Sequence, residues 1–303
     1  MAKPNFFIVG GPKCGTTAMA SFLQSHPDIY ISEPKEPNFF ADDMPKMKFV
    51  DSMNDYLALY RKKSKYKIIC DASIFYMFSK IAIENIYKFN PDAKLLVMIR
   101  NPLEMVPSFH RQILFTLDED QERFYDALVL EKDRVNNQNV PKHCRSKKLL
   151  EYSNIAKYGE QLNNIFEFFP RKNVKIILFD EFAKDNKLSY KEVLRFLDVP
   201  DDNKEDFPRV NDAKKAKSKI INRIVNRPPR FAKVIARFVR KLLKKPRLNI
   251  LRKIDHLNRD KLIKTPISNV EIEMLVDIYQ KDISLTEKLL KKDLSHWLNN
   301  ETK

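Results

Sequence analysis

The segment Gly11-Pro12-Lys13-Cys14-Gly15-Thr16-Thr17 sets a lysine, two threonines and small residues between an apolar run and a helical pattern. A small-residue turn at a helix N-terminus offers backbone N–H groups to an anion, with the positive end of the helix dipole behind them. Thr16 and Thr17 add hydroxyls and Lys13 adds a point charge, so the chemistry on offer is capture of a phosphate or sulfate ester. The spacing is not that of the nucleoside-triphosphate loop, G-x-x-x-x-G-K-[ST], because Lys13 precedes Gly15. The plainer reading is an ordinary strand–helix turn capped by Thr16. A second stretch is Ile99-Arg100-Asn101-Pro102, with Ser108 eight residues after Arg100. An arginine fork and a hydroxyl converging on one point suit a phosphate. Alone, an arginine after a strand reads as a surface residue.

Elements that could position these groups follow from the apolar pattern. Phe6-Phe7-Ile8-Val9 is a short, β-rich run ending in Gly10-Gly11-Pro12, which predicts a buried parallel strand entering a turn. A helix is predicted over 17–24, ended by His26-Pro27. Further strands are predicted over 67–70, 94–99 and 174–179. Further helices are predicted over 74–89, 104–117, 152–168 and 190–197, with a helical tail over 268–298. Strands alternating with helices imply an α/β fold with a mostly parallel sheet covered on both faces. Ligands in such sheets bind beyond the carboxyl ends of the strands, which is where Lys13 and Arg100 fall.

The chain has 303 residues, 43% hydrophobic, and is expected to form a single domain over 1–303. Its net charge of +16 points to anionic partners. That charge is local. Between Lys214 and Lys264 nineteen Lys or Arg face two acids, Asp255 and Asp260, so this stretch accounts for the whole excess. Three cysteines, Cys14, Cys70 and Cys144, fit a reducing compartment rather than a disulfide framework. No Cys/His cluster has zinc-ligand spacing, and no metal is expected. No charged leader with an apolar core begins the chain, and no apolar run reaches membrane-spanning length. The expectation is a cytoplasmic, soluble protein, peripheral to a membrane at most.

Together the two anion motifs resemble the sulfotransferase family that uses 3′-phosphoadenosine 5′-phosphosulfate (PAPS). The resemblance implies a P-loop-like α/β fold. It also implies that Lys13, Cys14, Gly15, Thr16 and Thr17 hold the 5′-phosphosulfate and that Arg100 and Ser108 hold the 3′-phosphate. Between them, Pro34-Lys35-Glu36-Pro37-Asn38-Phe39-Phe40 is similar to the segment carrying the catalytic glutamate in the heparan-sulfate-type branch. Supporting pieces are Tyr158-Gly159-Glu160-Gln161-Leu162, Phe179-Asp180-Glu181 and Asp293-Leu294-Ser295-His296-Trp297-Leu298. The implied reaction moves a sulfuryl group from PAPS to an acceptor hydroxyl or amine, leaving adenosine 3′,5′-bisphosphate (PAP). In the implied roles Glu36 takes the acceptor proton and Lys13 stabilises the leaving oxygen, without a metal. His110 is the rival base, against its reading as a partly exposed structural histidine. Cys14 reads as a small filler rather than a nucleophile.

Two departures bear on the acceptor and the closing loop. Glycan-modifying relatives often carry a second active-site lysine after strand two, where this chain has Asp71-Ala72-Ser73-Ile74-Phe75-Tyr76. A glycine-rich basic loop over the 3′-phosphate is not evident in a chain with 4 glycines. The stretch around Asn211, Lys214, Lys215 and Lys217 is its candidate replacement. The acceptor stays open among a glycan or glycolipid, another lipid and a small alcohol.

The 214–264 segment is expected to be a basic helical region. Phe231, Val234, Ile235, Phe238 and Leu242 recur at helical spacing opposite Lys and Arg. Three readings fit: a core-facing helix with a solvated basic face, docking on an anionic membrane surface, and binding of an anionic acceptor. Two other functions fit the sequence less well. A P-loop-type kinase is disfavoured by the lysine placement and by the lack of an evident Mg²⁺-binding acid after a strand. A nucleic-acid-binding protein using the basic segment lacks a recognisable binding motif, so no nucleic acid is expected.

Overall fold

The computed structural model describes residues 2–208, 214–216, 259–261 and 266–298. The chain divides into two compact units, one comprising 1–109, 151–211 and 268–303, the other 110–150 and 212–267.

The first unit is built on a five-stranded sheet whose strands are β1 (Phe6–Ile8), β2 (Ile29–Ile31), β3 (Ile68–Ala72), β4 (Lys94–Ile99) and β5 (Val174–Leu178), in the order β2-β3-β1-β4-β5. Every pairing in it is parallel. Burial explains the composition: β1 and β3 are buried at every position, as is β4 after Lys94, which requires near-continuous apolar runs rather than alternation. Each fully buried Phe or Leu of these strands contributes about 1.5–3 kcal/mol of transfer free energy. Helices α1 (Thr16–Gln24), α2 (Met53–Ala58) and α3 (Ala82–Phe89) lie between the strands, and α4 (Pro102–Phe115) follows β4.

Strand β1 is the hinge of the topology. Its neighbours β3 and β4 lie on opposite sides, in register at Ile8 with Ala72 and Leu96 respectively. The connections therefore diverge beside β1, and the carboxyl ends of β1, β3 and β4 open on a common sheet edge. Gly10 makes the exit from β1 possible, because a Cβ there would lie 2.3 Å from the Met98 nitrogen. Gly11 N–H then bonds the Met98 carbonyl at 3.0 Å.

Several boundaries differ from expectation. Strand β2 was not foreseen; it is three residues long and sits at the sheet edge. The helix expected over 74–89 forms only from Ala82, because Asp71 holds Ser73 and Tyr76 in a turn. The helix expected from 152 begins at Tyr158.

The second unit contains α5 (Phe124–Val129) and α6 (Glu131–Val135). Arg134, 1% exposed, is held by both Glu119 carboxylate oxygens at 2.6 Å. Asp118 is paired with Arg145. In the basic segment Lys214–Ala216 (β6) pairs antiparallel with Arg259–Lys261 (β7). Those two stretches correct the helical expectation at both ends of the segment, since a backbone that pairs with a distant stretch cannot close local helical bonds there. The amphipathic pattern over 231–242 lies outside the described residues.

The first unit is completed by α7 (Tyr158–Phe168), α8 (Phe179–Lys184), α9 (Asn186–Leu197) and α10 (Asn269–Leu290). Ser268 and Glu271 close α10 with a capping box. No helix among the described residues is long and apolar enough to cross a membrane.

Candidate active site

The turn after β1 is tight and runs directly into α1. Lys13 has φ 61° and Gly15 φ 87°, so the chain reverses through the left-handed region twice before α1 begins. Gly15 caps α1 without any side-chain cap, and its carbonyl already accepts from Ala18 and Met19. A side chain there would press on the Phe182 ring at 3.0 Å, so the turn needs glycine for both backbone and space. Thr16 is buried and Thr17 half-buried, one behind the other on the first turn.

Cys14 supports the turn from beneath. It is fully buried, its thiol bonds the Pro12 carbonyl at 3.3 Å, and its sulfur lies 3.6 Å from the Tyr158 hydroxyl. Burial pushes the thiol up to about 12 against weaker lowering by Tyr158, Arg100 and Lys13, so it stays protonated and unreactive. The filler reading of Cys14 therefore fits its surroundings.

Arg100 reaches the turn from β4, half-buried. Its Nη1 donates to the Lys13 carbonyl at 3.5 Å and its guanidinium lies 4.4 Å over the Phe179 ring. Nε and Nη2 both donate to Glu104 Oε2, at 3.0 and 2.6 Å. Ser108 follows Glu104 by one helical turn on the same face of α4, half-buried. The sequence reading brought Arg100 and Ser108 together but missed Glu104, whose i,i+4 spacing from Arg100 was the available signal.

Glu36 arrives from the other side. Lys35 Nζ donates to Thr17 Oγ1 and to Glu36 Oε1, each at 3.0 Å, and so links the carboxylate to the start of α1. Glu36 and Asn38 both have positive φ, 63° and 49°. That costs order-of-magnitude 1 kcal/mol or more each, and anchoring repays it. Asn38 N–H donates to Ser73 Oγ at 3.0 Å, and Ser73 donates to Asp71 Oδ1 at 2.6 Å. Tyr56 and Tyr76 donate to Asp71 Oδ2, each at 2.8 Å. Burial pushes Asp71 up to about 6 despite these three donors, and the Glu36 charge adds to the rise. The segment that lacks a lysine thus supplies the buried anchor of the Glu36 loop. Sequence reasoning gave Asp71 no such role.

Tyr158 packs against the turn after β1. Its hydroxyl lies 3.6 Å from the Cys14 sulfur, and a Cβ at Gly11 would come within 3.4 Å of that hydroxyl. The start of α7 is fixed from α10, where Asp282 accepts from Gly159 and Glu160 N–H at 2.9 and 3.0 Å. Gly159 allows this approach, since a Cβ there would meet Leu285 at 2.8 Å.

His110 belongs to the second unit. Its Nε2 is 2.9 Å from the Gln121 carbonyl, its ring packs on Phe124, and burial lowers its pKa, so it stays neutral.

The family model described as a sulfotransferase domain matches residues 3–265. The mouse heparan sulfate glucosamine 3-O-sulfotransferase 5 is 25% identical over 201 residues, covering 65% of this chain and 54% of that protein. The rat carbohydrate sulfotransferase 15 is 23% identical over 246 residues, covering 65% of this chain and 44% of that protein. The chain thus spans about half the length of these relatives. The crystal structure of a sulfotransferase from Alicyclobacillus acidocaldarius superposes with a TM-score of 0.72 over 98% of this chain and 99% of that one, at 24% identity, which establishes the common fold. With a five-stranded parallel sheet and a family match over most of its length, the chain belongs to the sulfotransferase family.

Proposed function

We propose that the chain is one sulfotransferase domain that transfers a sulfuryl group from PAPS to an acceptor hydroxyl or amine. The convergence of Lys13–Thr17, Lys35–Glu36 and Arg100 at one sheet edge carries this reading. In it, the Lys13–Thr17 turn holds the 5′-phosphosulfate, while Arg100 and Ser108 hold the 3′-phosphate. Glu104 shares the guanidinium with that phosphate or gives way to it. The acceptor oxygen attacks sulfur in line with the leaving phosphate. Glu36 takes the acceptor's proton, and Lys13 stabilises the charge that grows on the bridging oxygen. No metal enters these steps.

The relatives' names support a carbohydrate or glycolipid hydroxyl as acceptor. The +17 stretch over 214–264 supports a cytoplasmic protein resting on an anionic membrane surface. The donor reading is tested by thermal shift. PAP should raise the melting temperature more than ATP at equal concentration, because only PAP carries the 3′-phosphate. Equal shifts would remove the 3′-phosphate assignment.

A further inference from the structure

Lys35 occupies a position that the proposed mechanism leaves unused. Its ammonium lies 3.0 Å from Thr17 Oγ1, at the first turn of α1, and 3.0 Å from Glu36 Oε1. It therefore stands between the turn read as the phosphosulfate site and the carboxylate read as the base. Its side chain is 25% exposed, and that of Glu36 is 33% exposed. An ammonium has three donors, and Thr17 and Glu36 take two of them. A sulfuryl group passing from the turn towards an acceptor at Glu36 must cross the space this ammonium commands. A lysine is suited to that place, since its donors rotate on a flexible stem and can change partners without moving the backbone.

We propose that Lys35 is a further catalytic residue: its ammonium moves from Glu36 to an oxygen of the bound sulfuryl group and holds that oxygen through transfer. The proposal rests on the donor-site reading above. In the reaction, the acceptor O–S bond forms as the bond from sulfur to the bridging oxygen breaks. The electron pair of the broken bond goes to the 5′-phosphate, and the acceptor's proton goes to Glu36. Lys35 gives up no proton. Its exchange of partners has a second effect. While paired to Lys35, Glu36 Oε1 is already accepting a hydrogen bond, whereas release leaves that oxygen open for the acceptor proton. Arrival of the sulfuryl group would thus prepare the base. PAP, which lacks the sulfuryl group, would leave the Lys35–Glu36 pair in place.

The test compares donor with product on Lys35→Met, which keeps the stem and removes the charge. Affinities for PAPS and PAP are measured by calorimetric titration without acceptor. PAPS should bind about 5–20-fold more weakly to the variant, while PAP affinity stays within about twofold of wild type. Sulfate release from labelled PAPS, with water as acceptor, should fall further than PAPS affinity does. Lys35→Arg keeps the charge and should hold the PAPS-to-PAP affinity ratio within about threefold of wild type. Lys35→Met/Glu36→Gln should release sulfate at least tenfold more slowly than Glu36→Gln, because a residue acting only through Glu36 would add nothing once the base is gone. An unchanged PAPS-to-PAP ratio in Lys35→Met, or a double variant no slower than Glu36→Gln, overturns the proposal. Wild-type protein that binds no PAP overturns the donor reading and this proposal with it.

Discussion

Replacing Asp71 by Asn should change how stability depends on pH in a calculable way. The carboxyl is fully buried, and burial raises it from an ordinary 3.8 to about 6. Between those values the folded chain keeps a proton that the unfolded chain has lost. Stability from this group is therefore greatest below about pH 4, falls as the pH rises, and reaches its low plateau above about pH 6. Two units at 1.36 kcal/mol each put the span at about 3 kcal/mol. Asp118 runs the other way. Burial pushes it up, but Arg145 outweighs burial and holds it below the ordinary range, so its contribution is lost as the pH falls. The difference between wild type and Asp71→Asn isolates one group. Urea unfolding at half-unit steps from pH 4 to 7.5 should show the variant gaining on wild type by about 3 kcal/mol, nearly all of it between pH 4 and 6.5. A constant offset arises from the altered donors to Tyr56, Tyr76 and Ser73, and it does not alter the slope. A difference flat to within about 0.5 kcal/mol over that range would refute the buried, proton-holding carboxyl.

Three substitutions test the proposed site. Arg100→Ala should weaken PAP by about 1.5–3 kcal/mol, the usual loss for a charged hydrogen bond, as read by calorimetric titration. Glu36→Gln should leave PAP affinity within about twofold while sulfate release from PAPS falls roughly 10²–10⁴-fold; near-normal turnover would move the base elsewhere. Tyr158→Phe removes only the hydroxyl that meets the Cys14 thiol beneath the Lys13–Thr17 turn, and should cost PAP affinity about 0.5–1.5 kcal/mol. An unaltered affinity would leave that hydroxyl with no part in shaping the Lys13–Thr17 turn.

Much of this was legible from local pattern, because a buried parallel strand needs a continuous apolar run. Phe6–Val9 and Lys94–Ile99 could hardly be read otherwise, and they place Lys13 and Arg100 at one sheet edge. What stayed hidden depends on distant partners. Nothing near Ile29-Tyr30-Ile31 marks a strand; it pairs because Ile68–Cys70 lies beside it. The start of α7 is set at Tyr158 by Asp282, more than a hundred residues along the chain. Asp71 reads as a missing lysine until Tyr56, Ser73 and Tyr76 are seen around it. Lys35 lies beside Glu36 in the sequence, and its contact with Thr17 required the fold.

The dependence of the N-terminal turn on Tyr158 and Asp282 has a consequence for biosynthesis. Gly11 to Thr17 leave the ribosome long before position 282 does, yet one wall of their turn is Tyr158, and the start of the Tyr158 helix is steadied by a carboxylate at position 282. A nascent chain carries the complete motif long before it carries the completed site. Chains interrupted between Phe168 and Asp282 would expose the motif in a loosely held form. Quality control that removes such fragments would spare the cell a pool of half-assembled sites.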